Sequence, residues 1–127
     1  MTKFSDKKPL LIDAEFTVGT EAANAINVAI QLKDRVDGGE LGEAVALPFY
    51  LASNAAGQAV ATAPDGGIAI GTDGVLIEWT ANVAGLAVSE ADGDIDVTLT
   101  ESSTGTWYLV LVAPDGKLLI SGAITFA

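Results

Sequence analysis

The sequence predicts one all-β domain built as an antiparallel sandwich. Large apolar residues recur at every second position in several stretches, the period of a strand with one buried face, and clusters of Gly, Asp and Asn separate those stretches. The chain has 127 residues, the size of a single domain that buries roughly two-thirds of its unfolded surface.

The clearest strand has Ile26, Val28, Ile30 and Leu32 alternating with Ala25, Asn27, Ala29, Gln31 and Lys33. The alanines between Glu21 and Lys33 make a helix the rival reading. Four large apolar residues at spacing two would then be scattered around its axis, so the strand is preferred. Val45, Leu47, Phe49 and Leu51 repeat the alternation with Pro48 on the opposite parity. A proline cannot donate to a ladder, which predicts an edge strand or a bulge there. Ile68 and Ile70 run into Thr72-Asp73-Gly74, and Val75, Ile77 and Trp79 follow, a hairpin pattern. Leu86 and Val88 precede the turn at Glu90-Ala91-Asp92-Gly93, after which Ile95, Val97 and Leu99 alternate with Asp94, Asp96, Thr98 and Thr100 as a half-buried strand.

Trp107 to Val112 is apolar on both parities, which predicts a central strand. Ala113-Pro114-Asp115-Gly116 then supplies turn chemistry, and Lys117–Ile120 and Ala123–Phe126 are expected to pair antiparallel with it. The same tetrapeptide stands at Ala63-Pro64-Asp65-Gly66. Shared turn chemistry explains four residues more economically than an internal duplication. The segments sum to about seven to nine strands, the number expected of an immunoglobulin-like β-sandwich.

The reading divides the chain into an N-terminal arm, residues 1–12, and a sandwich domain, residues 13–127. The arm carries Lys3, Lys7 and Lys8, with Phe4 and the run Leu10-Leu11-Ile12 as apolar grips. Either it docks on a neighbouring subunit or an acidic patch, with Phe4, Lys7, Lys8, Leu10, Leu11 and Ile12 as the contacts, or it is a disordered tail leading into the first strand. Leu10 to Ile12 is too short for the apolar stretch of a secretory signal, and no window approaches a membrane span. The expected location is therefore the cytosol in which the chain is made, unless an assembly carries it elsewhere.

The net charge is −11, and no basic side chain stands between Arg35 and Lys117. Such a body repels phosphate backbones and anionic headgroups, so neither nucleic acid nor a membrane surface is an expected partner. Without histidine or cysteine the chain lacks the commonest general base, the commonest zinc ligands and any disulfide. A non-enzymatic module without catalytic residues or cofactor is expected.

Asp92-Gly93-Asp94-Ile95-Asp96 begins like a calcium loop, but Val97 stands where the EF-hand pattern wants glycine and Ser103 where it wants glutamate. No metal site is expected there. Glu90 with these aspartates also lacks the sugar cleft that a glycosidase carboxylate pair needs. Trp79, Trp107 and Tyr108 could form a stacking platform, yet their apolar neighbours favour core packing with the polar end of each ring on a partner. The apolar content of 50%, with a strand apolar on both faces, points to a homo-oligomer.

The rhythm of Asn27–Asp34, Val45–Ser53, Thr72-Asp73-Gly74 and Val83-Ala84-Gly85 resembles bacterial immunoglobulin-like domains. The strings Val18–Asn24, Ile68–Gly74 and Thr106–Val110 through Pro114-Asp115-Gly116 to Ser121–Phe126 resemble small virion-associated proteins of tailed bacteriophages. The likeness spans most of the chain after Phe16. It implies a virion protein, such as a capsid decoration or head-associated accessory subunit bound to the assembled coat, and an immunoglobulin-like adhesive module of a tail or fibre is the alternative. It carries over no site residue.

Overall fold

The computed structural model describes residues 11–127, and they form ten strands and no helix: β1 Ile12–Val18, β2 Ala25–Asp34, β3 Ala46–Ala52, β4 Ile68–Ile70, β5 Val75–Thr80, β6 Ala84–Val88, β7 Asp94–Thr100, β8 Gly105–Val112, β9 Leu118–Ile120 and β10 Ile124–Phe126. All pairings are antiparallel. One sheet has the order β1-β2-β7-β4; the other is six-stranded, β10-β8-β3-β6-β5, with β9 beside β10 on the same edge of β8. The alternation in β2 and β7 is that read from the sequence, and β8 is central as expected.

The first sheet has the pairing of the A-B-E-D sheet of an immunoglobulin domain, and β10/β9-β8-β3 that of G-F-C. The connections differ. In variable-type domains the two added strands of the second sheet precede strand D and D runs on into E, whereas here β4, in the D place, follows β3 directly and the β5–β6 hairpin separates it from β7. The count of ten exceeds the expected seven to nine because β1, Ile12–Val18, adds to the nine segments whose pattern is read from the sequence.

The core lies between the sheets. Val28, Ile30, Leu32, Val97 and Leu99 from the first meet Leu47, Phe49, Leu51, Leu109 and Leu111 from the second, each nearly or fully excluded from water. Trp107 joins them: its ring packs edge-on against Phe126 at 5.7 Å, and its Nε1 donates to the Thr62 carbonyl at 2.8 Å. That satisfies the one polar atom of a buried indole.

Three expectations are corrected. Pro48 lies in β3, which is central and flanked by β6 and β8, not an edge. The amide of Leu51 donates to Val83 and that of Ser89 to the Val45 carbonyl, each at 2.8 Å, so odd-numbered β3 residues bond towards β6 and the even ones face β8. Pairing with β8 begins only at Phe49, and the missing donor of Pro48 falls where that ladder has ended. Secondly, β4 and β5 form no hairpin: β4 pairs with β7 and β5 with β6, so Thr72-Asp73-Gly74 is a corner between the sheets. Thirdly, the first strand starts at Ile12, which is fully buried and opposite Asp34, so the end of the arm as drawn from sequence belongs to the core.

The repeated tetrapeptide makes two different turns. Ala113 to Gly116 closes the β8–β9 hairpin, with Ala113 donating to Lys117 and Gly116 to Ala113, and Gly116 takes φ 92°. At Pro64 the positive φ falls one residue later, on Gly67, and the chain passes between the sheets. Ser121 repairs the break between β9 and β10. Its amide donates to the Leu109 carbonyl and its hydroxyl accepts from the Leu109 amide, both at 2.9 Å, replacing a lost ladder bond.

The β5–β6 contact depends on Gly85, where a Cβ would stand 2.0 Å from the Ile77 carbonyl oxygen and 2.8 Å from the Glu78 Cα. Gly85→Ala should cost roughly 1–3 kcal/mol in denaturant unfolding. At Gly122 an added Cβ meets nothing within 4 Å, so Gly122→Ala should stay within about 0.5 kcal/mol of the parent. Equal stability of the two variants would contradict this packing.

Candidate functional site: the outer face of the six-stranded sheet

Side chains alternate across a strand, so the register that buries one face also fixes the other. Leu47, Phe49, Leu51, Ala87, Leu109 and Leu111 point inward. Their neighbours therefore point outward in rows. Val75, Val88 and Ala46 form one row, Ile77, Leu86 and Pro48 the next, and Thr80, Ala84, Tyr50, Val110 and Ile120 the third. Val112 and Leu118 pair beyond Pro48. No strand position on this face bears a charge; its polar groups are the hydroxyls of Thr80, Thr106, Thr125, Tyr50 and Tyr108.

Part of the face is roofed. The Tyr50 hydroxyl donates to the Gly57 carbonyl, and a Cβ on Gly57 would lie 3.2 Å from Ile120 and 3.4 Å from Val110. That loop explains why Val110 is fully buried. The remainder is open: Val75 is 54% exposed, Ile77 47% and Leu118 37%, and Trp79, at the bulge between Glu78 and Thr80, is 64% exposed. Five strands at about 4.8 Å spacing, three rows deep, give the whole sheet face on the order of 500 Å², part of it closed by the Gly57 loop, and an open patch of this order is comparable with the largest on a typical monomer, which is often functional.

The opposite sheet is its chemical inverse. Asp13, Glu15 and Thr17 of β1, Asn27, Gln31 and Lys33 of β2, and Asp94, Asp96, Thr98 and Thr100 of β7 face out. Lys33 reaches Glu15 at 3.4 Å across the strand pair. A shallow cleft there is lined by Glu15, Gln31, Asp73, Asp94 and Asp96.

Several carboxylates are structural. Asp96 Oδ1 accepts the amides of Thr72 and Asp73 at 2.8 and 2.6 Å while Oδ2 accepts from Asn27 at 2.9 Å, which fastens the corner before β5. Burial works against its ionisation, but these bonds outweigh that and hold its pKa below the usual range. Asp65 accepts the hydroxyl and amide of Ser102, and Glu101 the hydroxyl of Ser103 and the Asp65 amide, so both pKa values are lowered. Asp115 is lowered by its two-toothed hydrogen bonding to Arg35, which also donates to the Ile12 carbonyl at 2.7 Å and ties β1 to the β8–β9 turn. Burial instead raises Asp94, and neighbouring Asp92 adds to it. Among the described residues no three His, Cys, Asp or Glu side chains cluster to hold a metal ion, and no helix is long and apolar enough to cross a membrane.

Of the docking residues expected from sequence, Phe4, Lys7, Lys8 and Leu10 lie outside the described residues. Leu11 is half-buried and its carbonyl accepts the Arg35 amide at 3.0 Å. Ile12 is in the core, where a contact role is closed to it. Of the three aromatics expected to pack inside, Trp107 does, Tyr108 is half-buried on the outer face, and Trp79 is exposed because the bulge lifts it off β6. The outer face itself was missed. Its signal was present in Ala84, Leu86 and Val88 and in Tyr108, Val110 and Val112, apolar positions of the parity that should be polar if solvated.

No family model matches the chain, and no curated protein or solved structure matches it significantly.

Four carboxyls with lowered folded pKa values contribute stability that is complete above their unfolded values and lost as pH falls through the folded ones; Asp94, raised, works in the opposite direction. With the four outnumbering the one, the melting temperature should hold from pH 7 down to about 4 and drop below it. A melting temperature flat or rising down to about pH 2 would contradict these bonds.

Proposed function

We propose that the chain is a non-enzymatic structural subunit that lays the outer face of its six-stranded sheet on an assembled protein partner. This is the work of a capsid decoration or head-associated accessory protein, the setting implied by the resemblance to small virion proteins of tailed bacteriophages. One observation carries the reading: a chain of net charge −11 keeps charge off every outward strand position of one whole sheet face. A solvated face gains nothing from such a composition, whereas a face that loses its water on docking must avoid unpaired charge. The acidic sheet then faces the medium, where it favours solubility. Four carboxylates, those of Asp65, Asp96, Glu101 and Asp115, are occupied by backbone amides, hydroxyls and Arg35.

Exposed Trp79 favours one second reading, the immunoglobulin-like adhesive module, in which an indole at a sheet edge stacks on a host sugar. A glycan screen in which binding disappears with Trp79→Ala would select it.

The main reading is tested by co-sedimentation with particles whose coat protein is encoded alongside the chain. Leu118→Lys places a charge at an exposed point of the apolar face and should weaken binding at least about tenfold, or 1.4 kcal/mol. Thr17→Lys on the opposite sheet should leave it unchanged. Absence of particle binding, or equal effects of the two substitutions, would remove the proposal.

A further inference from the structure

From the free edge of the six-stranded sheet we infer that β5 pairs with β5 of a second copy, antiparallel about a two-fold axis, and joins the two apolar faces into one platform. This rests on the reading of that face as an assembly surface and names the partner at its open end.

The sheet edges differ in kind. β1 carries Asp13 and Glu15 outward, so two copies pairing there would bring acids together. β4 has three residues, and the β9–β10 edge is two three-residue strands broken at Ser121–Ala123. β5 runs six residues, Val75–Thr80, with Val75, Ile77, Trp79 and Thr80 of β-favouring types and Glu78 its one charge, and it is regular from Val75 to Glu78 before the bulge. An edge of this kind is a template for another strand; its one charge, Glu78, is turned back onto the Asn82 amide, and its bulge falls beyond the Val75–Glu78 stretch.

The hydrogen-bonding side of β5 follows from its neighbours. The bonds Leu51 to Val83 and Ser89 to Val45 assign the odd β6 residues to β3, so Leu86 and Val88 turn their backbones to β5. Their partners Ile77 and Val75 answer them. The amides and carbonyls of Leu76 and Glu78 are left pointing off the edge, and among the described residues no loop backbone bonds to them. Two residues spaced by two are what a two-fold strand pair uses. Leu76 takes the partner's Glu78, Glu78 takes the partner's Leu76, and Ile77 stands against the partner's Ile77 at the axis. No acid faces an acid directly, and Glu78 bends its carboxylate back onto the Asn82 amide.

The partner is a second copy on grounds of area and charge. A single face, at most about 500 Å² and partly roofed, would bury no more than about 1,000 Å² in total against a coat, the lower limit for a specific contact; two joined faces double that area. Joined edge to edge, both molecules keep their acidic sheets on the same outer side, so the pairing brings no acidic face against another.

The chain has no cysteine, which makes the register directly testable on the full-length protein without particles. Residues facing each other at a non-hydrogen-bonded pair have Cα atoms about 4.5 Å apart, inside the disulfide range. Ile77→Cys should therefore cross-link to a covalent dimer on mild oxidation, and Val75→Cys, on the same exposed stripe, many times more slowly. In sedimentation velocity the parent should show a concentration-dependent dimer, Ile77→Lys should weaken it at least about tenfold, and Leu118→Lys should not. A parent that stays monomeric at every concentration, or equal cross-linking of the two cysteine variants, would overturn the inference. A dimer that sediments normally but ignores the particle would leave the inference standing and remove the proposed function. A monomer whose particle binding is lost with Leu118→Lys would do the reverse.

Discussion

The strict alternation of side chains along a strand is the constraint on which the rest of this molecule depends. Once Phe49, Leu51, Leu109 and Leu111 of one sheet face Val28, Ile30 and Leu99 of the other, every intervening residue is committed to an outer face. Fold stability is then set between the sheets, and the outer chemistry is free to serve something else. One sheet shows carboxylates, amides and hydroxyls; the other shows aliphatic and aromatic side chains from five neighbouring strands. A sandwich this small needs only one apolar layer to fold. The second must be explained by what it contacts.

Polar residues serve the corners at which the chain changes sheets. Asp96 gathers the turn before β5, Asp65 and Glu101 brace the loop before β4 against the loop after β7, and Arg35 links the start of β1 to the β8–β9 turn through Asp115. A chain that crosses between sheets so often leaves many turn amides without ladder partners, and carboxylates satisfy several at a time. The acidity is thus partly architectural. At Gly71 an added Cβ would lie 2.1 Å from Asp96, so that corner tolerates only the smallest residue beside its carboxylate.

Where one face is buried and one solvated, the sequence was transparent: the apolar and polar residues of β2 and β7 separate cleanly by parity. The central position of β8 was also legible, because Trp107 to Val112 has no polar parity at all. That same property hid the candidate site. An outward apolar position looks, residue by residue, like a core position, so Leu86, Val88 and Val112 point to an outer apolar face only through their shared parity and not one by one. Pairing partners were the other blind spot. Ile70 and Val75 are separated by a good turn signal, and nothing in four residues tells whether the chain returns beside itself or crosses to the other sheet. Pro48 misled for a related reason: its missing donor matters only if a neighbouring ladder includes it, and pairing with β8 begins one residue later, at Phe49.

The central claim is that the molecule works through the apolar face and not through the acidic one. Amide hydrogen exchange, followed across the whole chain in dilute solution and again in the assembled state, tests this most directly because it reports every strand at once. Protection should rise over Val75–Thr80 and Ala84–Val88 on assembly, while Ile12–Val18 and Asp94–Thr100 exchange as before. Protection gained on Ile12–Val18 or Asp94–Thr100, with Val75–Thr80 unchanged, would contradict it.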